Sequence, residues 1–411
     1  MEKSKIQLHF LNKTLSDARK SLLYRKKLKK FPQKLKSISE LANLPLTTKK
    51  DLRDHYPFAS LAVPIKDVGE VHTSSGTTGR ATLSYLIKDD LETGSAAISE
   101  SWKCFGITEK SRVQFMMSYG LFSGAPLNTY AIQKLGALVI PAGIQSAEKQ
   151  VRMLIDFKVD TIVATPGYYF YLYDYLMENK ISLKKLSLKR GIAAGEIYSE
   201  DVRKKIESKL NIEIFDHYGL CEVNTGIAYE CKYRNGLHFL DEYVFPEIID
   251  PATGEVLPPG REGELVLTSL RKKASPLIRY RTGDITSIKK GQCRCGRNSI
   301  RIERIKRKVD DVFFIKGIKI CPHELKEHIF QVTGDKIYND IKIILKDDYN
   351  KSRPEILVTL KNMSDEGLLT ILKKSLKDRT LLIFDIKHIN RDYFQRGYNN
   401  KVKFVEHECQ R

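Results

Sequence analysis

Two stretches in the middle of the chain limit its fold more than any other feature. From Ala147, AEKQVRMLIDFKVDTIVATP places apolar residues at helical spacing and then runs into a short strand, Thr161 to Ala164, that reads as buried. From Ser199 the pattern recurs: the hydroxyl caps EDVRKKIESKL, and IEIF follows as a strand running into DHYG. Helix and strand alternating in this way predict a layered α/β domain with parallel strands. Ligands collect at the carboxyl ends of such strands, which puts Asp216 to Glu222 at a candidate site.

After Gly236 the texture changes. EIIDPATGEVLPPGREGELVLTSL reads as short strands with turn signals, so a hairpin-rich, barrel-like part is expected there. Near Lys308 it changes again: VDDVFFIKGIKICPHELKEHIF suggests a hairpin leading into a helix, followed by strands near Ile341 to Leu345 and Ile356 to Leu360 and a helix after Asp365. A chain of 411 residues exceeds one compact domain, so the division expected is a large N-terminal domain, 1–308, and a small α+β domain, 309–411. No internal repeat stands out. The leading segment is helical and basic, and Thr47 or Thr48 caps a short helix before Pro57.

The stretch VHTSSGTTGRATLSYL, Val71 to Leu86, sets two glycines and a row of hydroxyls before Arg80. Its glycines are too close together for a Walker A loop, and both flanks look like strands, so it reads as a hairpin. Backbone N–H groups, hydroxyls and a guanidinium can still wrap a polyphosphate. A mobile surface turn is the competing reading.

The chain carries 70 Lys and Arg against 50 Asp and Glu, a net charge of +20, which attracts anionic partners. The cations are spread along the chain rather than gathered in a stripe, so solvated faces explain them better than a nucleic-acid surface does. Residues 1–30 contain Glu2 and Asp17 and no continuous apolar segment, and nothing resembles a membrane span. A cytoplasmic protein is the expectation. Seven cysteines are too few for a disulfide framework. Cys231 and His238 in CKYRNGLH, with Cys293 and Cys295 in GQCRCGR, supply three thiolates and an imidazole, a complete tetrahedral zinc set of structural type. Cys104, Cys321 and Cys409 read as packing or surface residues. GYYFYLYDYL, from Gly167, reads as a helix that fills a core.

Five stretches, in order, carry a resemblance: LPLTTKKDLRDHYPF, SSGTTGRAT, DHYGLCEVNTGIAYECKYRNGLHF, SPLIRYRTGDIT and VDDVFFIKGIKICPHELKE. Together they resemble the adenylate-forming enzymes, and specifically the phenylacetate-CoA ligase branch, from about Ser39 to Lys403. The resemblance implies a large domain holding ATP and a carboxylic acid, and a small mobile domain that closes over them. It implies that Ser74, Ser75, Gly76, Thr77, Thr78, Gly79 and Arg80 hold phosphate, and that Glu222 is the acidic residue associated with Mg²⁺. The resemblance further implies that Tyr218 packs beside adenine, that Asp284 accepts from the ribose hydroxyls, and that Asp216, Gly219, Gly195 and Glu196 line the nucleotide. Tyr119, Phe122 and Ala194 fall in the acid pocket, where an aromatic wall suits an aryl substrate.

The catalytic lysine of the family matches Lys401 in RGYNNKVKFV, with Asn400 in place of glycine and Lys403 as the fallback. The family hinge reads approximately Gly-Arg-Ser-Asp-Asp, whereas this chain has Arg307, Lys308, Val309, Asp310 and Asp311. Lysine does not reproduce a bidentate guanidinium contact, so Lys308 alters either nucleotide affinity or closure. Cys221 stands where Ser or Thr is usual and replaces a hydroxyl; His217 is read as structural. The activity implied is ATP-dependent formation of an acyl-adenylate, then transfer to CoA. Transfer to an acidic carrier protein or an amine is the rival within the class, and a non-catalytic, basic, zinc-stapled binding protein the rival outside it. A homodimer stays open.

Overall fold

The computed structural model describes residues 2–74, 81–309, 313–315, 318–346, 353–365, 367–394 and 405–408. The chain divides into two compact units: Met1–Ala164 with Lys184–Gly195 and Ile212–Lys306, and Thr165–Leu183 with Glu196–Asn211 and Arg307–Arg411.

The strands of the first unit are β1 (Glu70–Thr73), β2 (Leu83–Leu86), β3 (Arg112–Phe115), β4 (Leu138–Ile140), β5 (Thr161–Ala164), β6 (Arg190–Ala194), β7 (Glu213–Leu220), β8 (Asn224–Glu230), β9 (Leu237–Phe239), β10 (Val244–Ile249), β11 (Gly263–Ser269), β12 (Tyr280–Thr286) and β13 (Arg301–Ile302). Eight form one sheet in the order β13-β9-β8-β7-β6-β5-β3-β4. From β4 to β7 the pairs are parallel, and β8, β9 and β13 extend the sheet antiparallel. The expected parallel layer is therefore present, with β5 buried at all four residues, as a run covered on both faces requires.

The helix Ala147–Asp156 buries Ala147, Gln150, Val151 and Leu154, the face its spacing specified, and Ser146 caps it by accepting from the Lys149 N–H. Helices Lys88–Cys104 and Gly124–Gln133 contribute Ile98, Trp102, Leu127 and Ala131 to a core shared with Val113, Phe115, Ile192, Phe215 and Tyr229 of the sheet. Burial of side chains of this size stabilises by about 1.5–3 kcal/mol each relative to exposure. The hairpin-rich part is an open antiparallel arrangement in which β11 pairs with β10 and β12. Among the described residues it does not close into a barrel, which corrects the barrel-like expectation. A second core joins it to the N-terminal segment through Leu11, Leu15, Tyr24, Leu265, Leu267 and Tyr280. Thr48 caps Lys49–Asp54 with a reciprocal box to Asp51.

In the second unit, helix Glu200–Leu210 has Ser199 as its cap and ends at Asn211, which takes the left-handed conformation at φ 53°. Helix Pro166–Glu178 buries Tyr168, Tyr169, Leu172 and Leu176. The C-terminal residues form the hairpin Phe313–Ile315/Ile318–Ile320, helices Pro322–Thr333 and Gly367–Thr380, and a four-stranded sheet whose central pair, Ile337–Lys346 and Glu355–Leu360, is antiparallel. Ile329, Ile343, Ile356, Val358, Leu372, Leu376 and Phe384 fill its core. Asp174 binds Lys361 at 2.9 Å and Arg391 at 3.5 Å, and Arg391 also reaches Glu178 at 3.2 Å. Among the described residues, no helix is long and apolar enough to cross a membrane.

Candidate active site

The antiparallel β1–β2 pair confirms the hairpin reading of the hydroxyl-rich stretch. Ser74, Ala81 and Thr82 close its described base; Ser75, Gly76, Thr77, Thr78, Gly79 and Arg80 lie outside the described residues, as do Lys401 and Lys403. The Ser74 and Thr82 hydroxyls are 2.8 Å apart, and the Thr82 N–H donates to Ser74 Oγ at 3.1 Å. Thr82 Oγ1 in turn donates to Glu222 Oε1 at 2.8 Å, and the Tyr280 hydroxyl donates to the same oxygen at 3.1 Å.

Glu222 is only 4% exposed. A buried carboxylate needs donors, and these two hydroxyls fix one oxygen in place. The hairpin base and the carboxylate thus form one connected unit although 140 residues separate Thr82 from Glu222. Behind them the buried Lys272 ammonium donates to Ser84 Oγ at 2.6 Å and to the Glu222 carbonyl at 3.0 Å. Burial lowers its pKa to about 8, against the opposing charge of Asp90.

Tyr218 and Asp284 come together from β7 and β12: the phenol donates to Asp284 Oδ2 at 2.6 Å. Asp284 is itself buried. Asp216, earlier on β7, accepts from Arg304 Nε at 3.0 Å, while its own N–H donates to Glu230 Oε2. Gly219 is required by packing: a Cβ there would lie 2.4 Å from the Gly226 nitrogen and 2.6 Å from Thr225 Cα. The close approach of β7 and β8 has no room for a side chain.

Gly195 follows β6 at φ +79°, next to the half-buried Ala194. Glu196 belongs to the second unit, where Oε2 accepts from the Gly167 N–H at 3.3 Å. Lys308 lies on the two-residue strand Arg307–Lys308. Tyr119 and Phe122 are half-buried; the Tyr119 hydroxyl is 2.7 Å from Thr129 Oγ1, and burial pushes it up to about 12. The Leu121 carbonyl accepts from the Thr73 N–H at 2.7 Å, joining this aromatic segment to β1 of the hairpin.

His217 is structural, as expected. Its buried ring meets Trp102 and Phe105 edge-on, lies 3.2 Å from Ser101 Oγ, and is held down near 4 by desolvation. Burial, and then the charge of Glu222, raise the Cys221 thiol above its ordinary range. A raised thiol carries little thiolate at neutral pH. Alkylation of Cys221 by iodoacetamide at neutral pH is therefore expected to be slower than that of free cysteine, and Cys221→Ser to leave activity within about threefold of wild type. Peptide mapping after labelling, and turnover of the variant, check both.

Cys231, His238, Cys293 and Cys295 converge, with ligand atoms all within 4.8 Å of one another. Pairing of β9 with β13 brings the two halves together, since Cys231 precedes β9, His238 lies on it, and Cys293 and Cys295 precede β13. Cys231 and Cys293 sulfurs are 3.6 Å apart, and Cys295 Sγ is 3.4 Å from His238 Nε2. His238 Nδ1 is held by Ser299 Oγ at 2.8 Å, leaving Nε2 turned to the cysteines.

Thr82, Tyr280, Lys272 and Arg304 were not singled out by sequence. Thr82 and Tyr280 do lie within the SSGTTGRAT and SPLIRYRTGDIT stretches. Lys272, in LRKKAS, carries no local signal and reads as one more surface lysine.

A hairpin whose hydroxyl-bearing base is bonded to a buried carboxylate, with a bonded tyrosine and carboxylate on β7 and β12, fits an α/β enzyme of the adenylate-forming class. Residues 1–270 match the AMP-binding enzyme family. The chain is 38% identical to the phenylacetate-coenzyme A ligase of Pseudomonas putida over 303 residues, covering 73% of this chain and 68% of that one. To the Escherichia coli K12 enzyme of the same name it is 36% identical over 332 residues, covering 79% and 75%. The fold matches 2-hydroxyisobutyryl-CoA ligase in a postadenylation state at TM-score 0.89 and 22% identity, covering 99% of this chain and 90% of that one. The chain belongs to the AMP-binding enzyme family, in its phenylacetate-CoA ligase branch, and is an AMP-forming acid–thiol ligase that uses ATP and CoA.

Proposed function

We propose that this chain activates an aryl-substituted carboxylic acid of the phenylacetate kind and passes it to CoA. The half-buried aromatic pair Tyr119 and Phe122, joined to the phosphate hairpin through Leu121 and Thr73, supports an aryl substrate. An acid oxygen attacks the α-phosphorus of ATP and pyrophosphate leaves; the CoA sulfur then attacks the acyl carbon and AMP leaves. Both steps concentrate negative charge on phosphate oxygens, so positioned cations and donors do most of the work.

In this reading the hairpin Ser74 to Arg80 holds the departing phosphates, Tyr218 lies along adenine, and Asp284 accepts from the ribose hydroxyls. Asp216, Gly219, Gly195 and Glu196 line the nucleotide, and Ala194 borders the acid. Lys401 contacts the α-phosphate and acid oxygens during attack. Residues 309–411 move as a lid about Lys308. The observation that carries the reading is Glu222, whose buried carboxylate is fixed by Thr82 and Tyr280 at the base of the hairpin. An oxygen donor there fits Mg²⁺, which would neutralise charge on the phosphates.

The cysteine–histidine cluster fits structural zinc: tetrahedral sulfurs at ordinary zinc–sulfur distances lie about 3.8 Å apart, close to the 3.6 Å between Cys231 and Cys293. His238 carries its outer partner, Ser299, as metal-bound imidazoles do.

ATP–pyrophosphate exchange against a panel of aryl, heteroaryl and short aliphatic acids tests this. Exchange is expected with arylacetic acids and is expected to collapse in Asp284→Ala and Lys401→Ala. Exchange confined to aliphatic acids would remove the aryl assignment. Given the net charge of +20, an acidic carrier protein is the alternative acceptor, and transfer assays with each acceptor separate the two.

A further inference from the structure

Behind Glu222 lies a charge that the mechanism above does not use. Lys272 is 1% exposed, and its ammonium bonds the Ser84 hydroxyl of β2 and the Glu222 carbonyl. The next three residues continue the seam. Lys273 and Ala274 donate their N–H groups to Asp90 at 2.7 and 2.9 Å, and Ser275 Oγ accepts from the Tyr85 N–H and donates to the Tyr85 carbonyl, both at 3.0 Å. Residues 272–275 therefore grip two consecutive residues of the strand that leaves the phosphate hairpin, and at the same time the residue carrying the buried carboxylate.

An apolar side chain would fill such a position at lower cost, because a buried ammonium gives up its hydration. Here two geometric requirements meet on one atom. The Glu222 carbonyl needs a donor away from water, and β2 must be held at a fixed distance from the turn after β7. Asp90 and Glu222 provide the opposing charge.

We infer that Lys272 is a positioning residue for adenylation, holding Glu222 and the exit strand of the phosphate hairpin in one fixed relation so that carboxylate and phosphate donors meet the nucleotide together. This rests on the placement of ATP at the hairpin. Small displacements of such groups reduce rate more than they reduce ground-state binding.

The test is Lys272→Met, which keeps the length of the side chain and removes its donors, beside Ser84→Ala, which removes one acceptor. Lys272→Met is expected to lower kcat for ATP–pyrophosphate exchange by about 30-fold and to raise the half-saturating Mg²⁺ about fivefold, with the acid KM within about twofold. Ser84→Ala is expected to show the same split at smaller size, and it decides the matter if Lys272→Met does not fold. Wild-type kcat and Mg²⁺ dependence in either variant would overturn the assignment. So would equal deterioration of all three parameters together with a lowered Tm, the pattern of a merely structural lysine. Wild-type protein giving no exchange with any acid would instead overturn the proposed function. Calorimetric titration with ATP at varied Mg²⁺ then reads Lys272 directly, and an unchanged Mg²⁺ dependence in Lys272→Met overturns it.

Discussion

Glu222→Gln is expected to reduce acid-dependent ATP–pyrophosphate exchange by about 10²–10³-fold, the loss usual when a fixed electrostatic contact to the reacting phosphates is removed. The amide has the shape of the carboxylate, and its oxygen can still accept from Thr82 and Tyr280. What disappears is the charge. The buried Lys272 ammonium loses part of its opposing charge but keeps that of Asp90, and the side-chain volume is unchanged, so only a small fall in Tm is expected beside the large loss of activity. Activity and stability therefore part company in this variant, measured by exchange kinetics and thermal unfolding on one preparation. A variant that loses both would make Glu222 a core residue and move the site elsewhere.

The second large effect concerns the cysteine–histidine cluster. Purified protein is expected to carry one zinc per chain by emission spectrometry, and Cys293→Ser to lose it with a fall in unfolding free energy on the order of 4 kcal/mol. The size follows from what the cluster joins. Cys231 directly follows β8, His238 lies on β9, and Cys293 and Cys295 precede β13, so four ligands would fasten a sheet edge held otherwise by the short β8–β9 and β9–β13 pairings. β8 also carries Glu230, which holds the Asp216 N–H on the neighbouring strand. Loosening that edge is expected to raise the KM for ATP as well. Cys321→Ser, in the second unit and outside the cluster, serves as the control and is expected to keep its metal. Protein without zinc, with a Tm indifferent to a chelator, would contradict the metal assignment.

Local periodicity made much of this fold legible. The Ala147 helix, β5, the Ser199-capped helix and the β1–β2 hairpin all follow from apolar spacing, capping hydroxyls and turn residues close together in the chain. The cluster was legible for a different reason, since sulfur and imidazole ligands are scarce enough for their spacing to be informative. Lys272 and Arg304 act through partners 50 and 88 residues away and no pattern in their neighbourhoods marks them, while Thr82 sits in the hydroxyl-rich stretch but acts through a carboxylate 140 residues away. Barrel closure was unreadable as well, because strand content says nothing of whether the last edge finds a partner. Helix Pro166–Glu178 shows both sides. Its core-filling aromatics Tyr168 and Tyr169 are buried as their spacing implies, but the contact of Tyr171 with the Arg391 guanidinium, 5.0 Å away, depends on tertiary structure alone.

The most direct measurement is the fate of the nucleotide in a complete reaction. Protein, Mg²⁺, CoA, the acid that supports exchange and α-labelled ATP would be incubated together and the products separated by ion-exchange chromatography. The account predicts AMP, pyrophosphate and acyl-CoA in equal amounts, with no AMP when the acid is omitted. Formation of ADP and inorganic phosphate, or AMP released without dependence on the acid, would contradict activation through an acyl-adenylate.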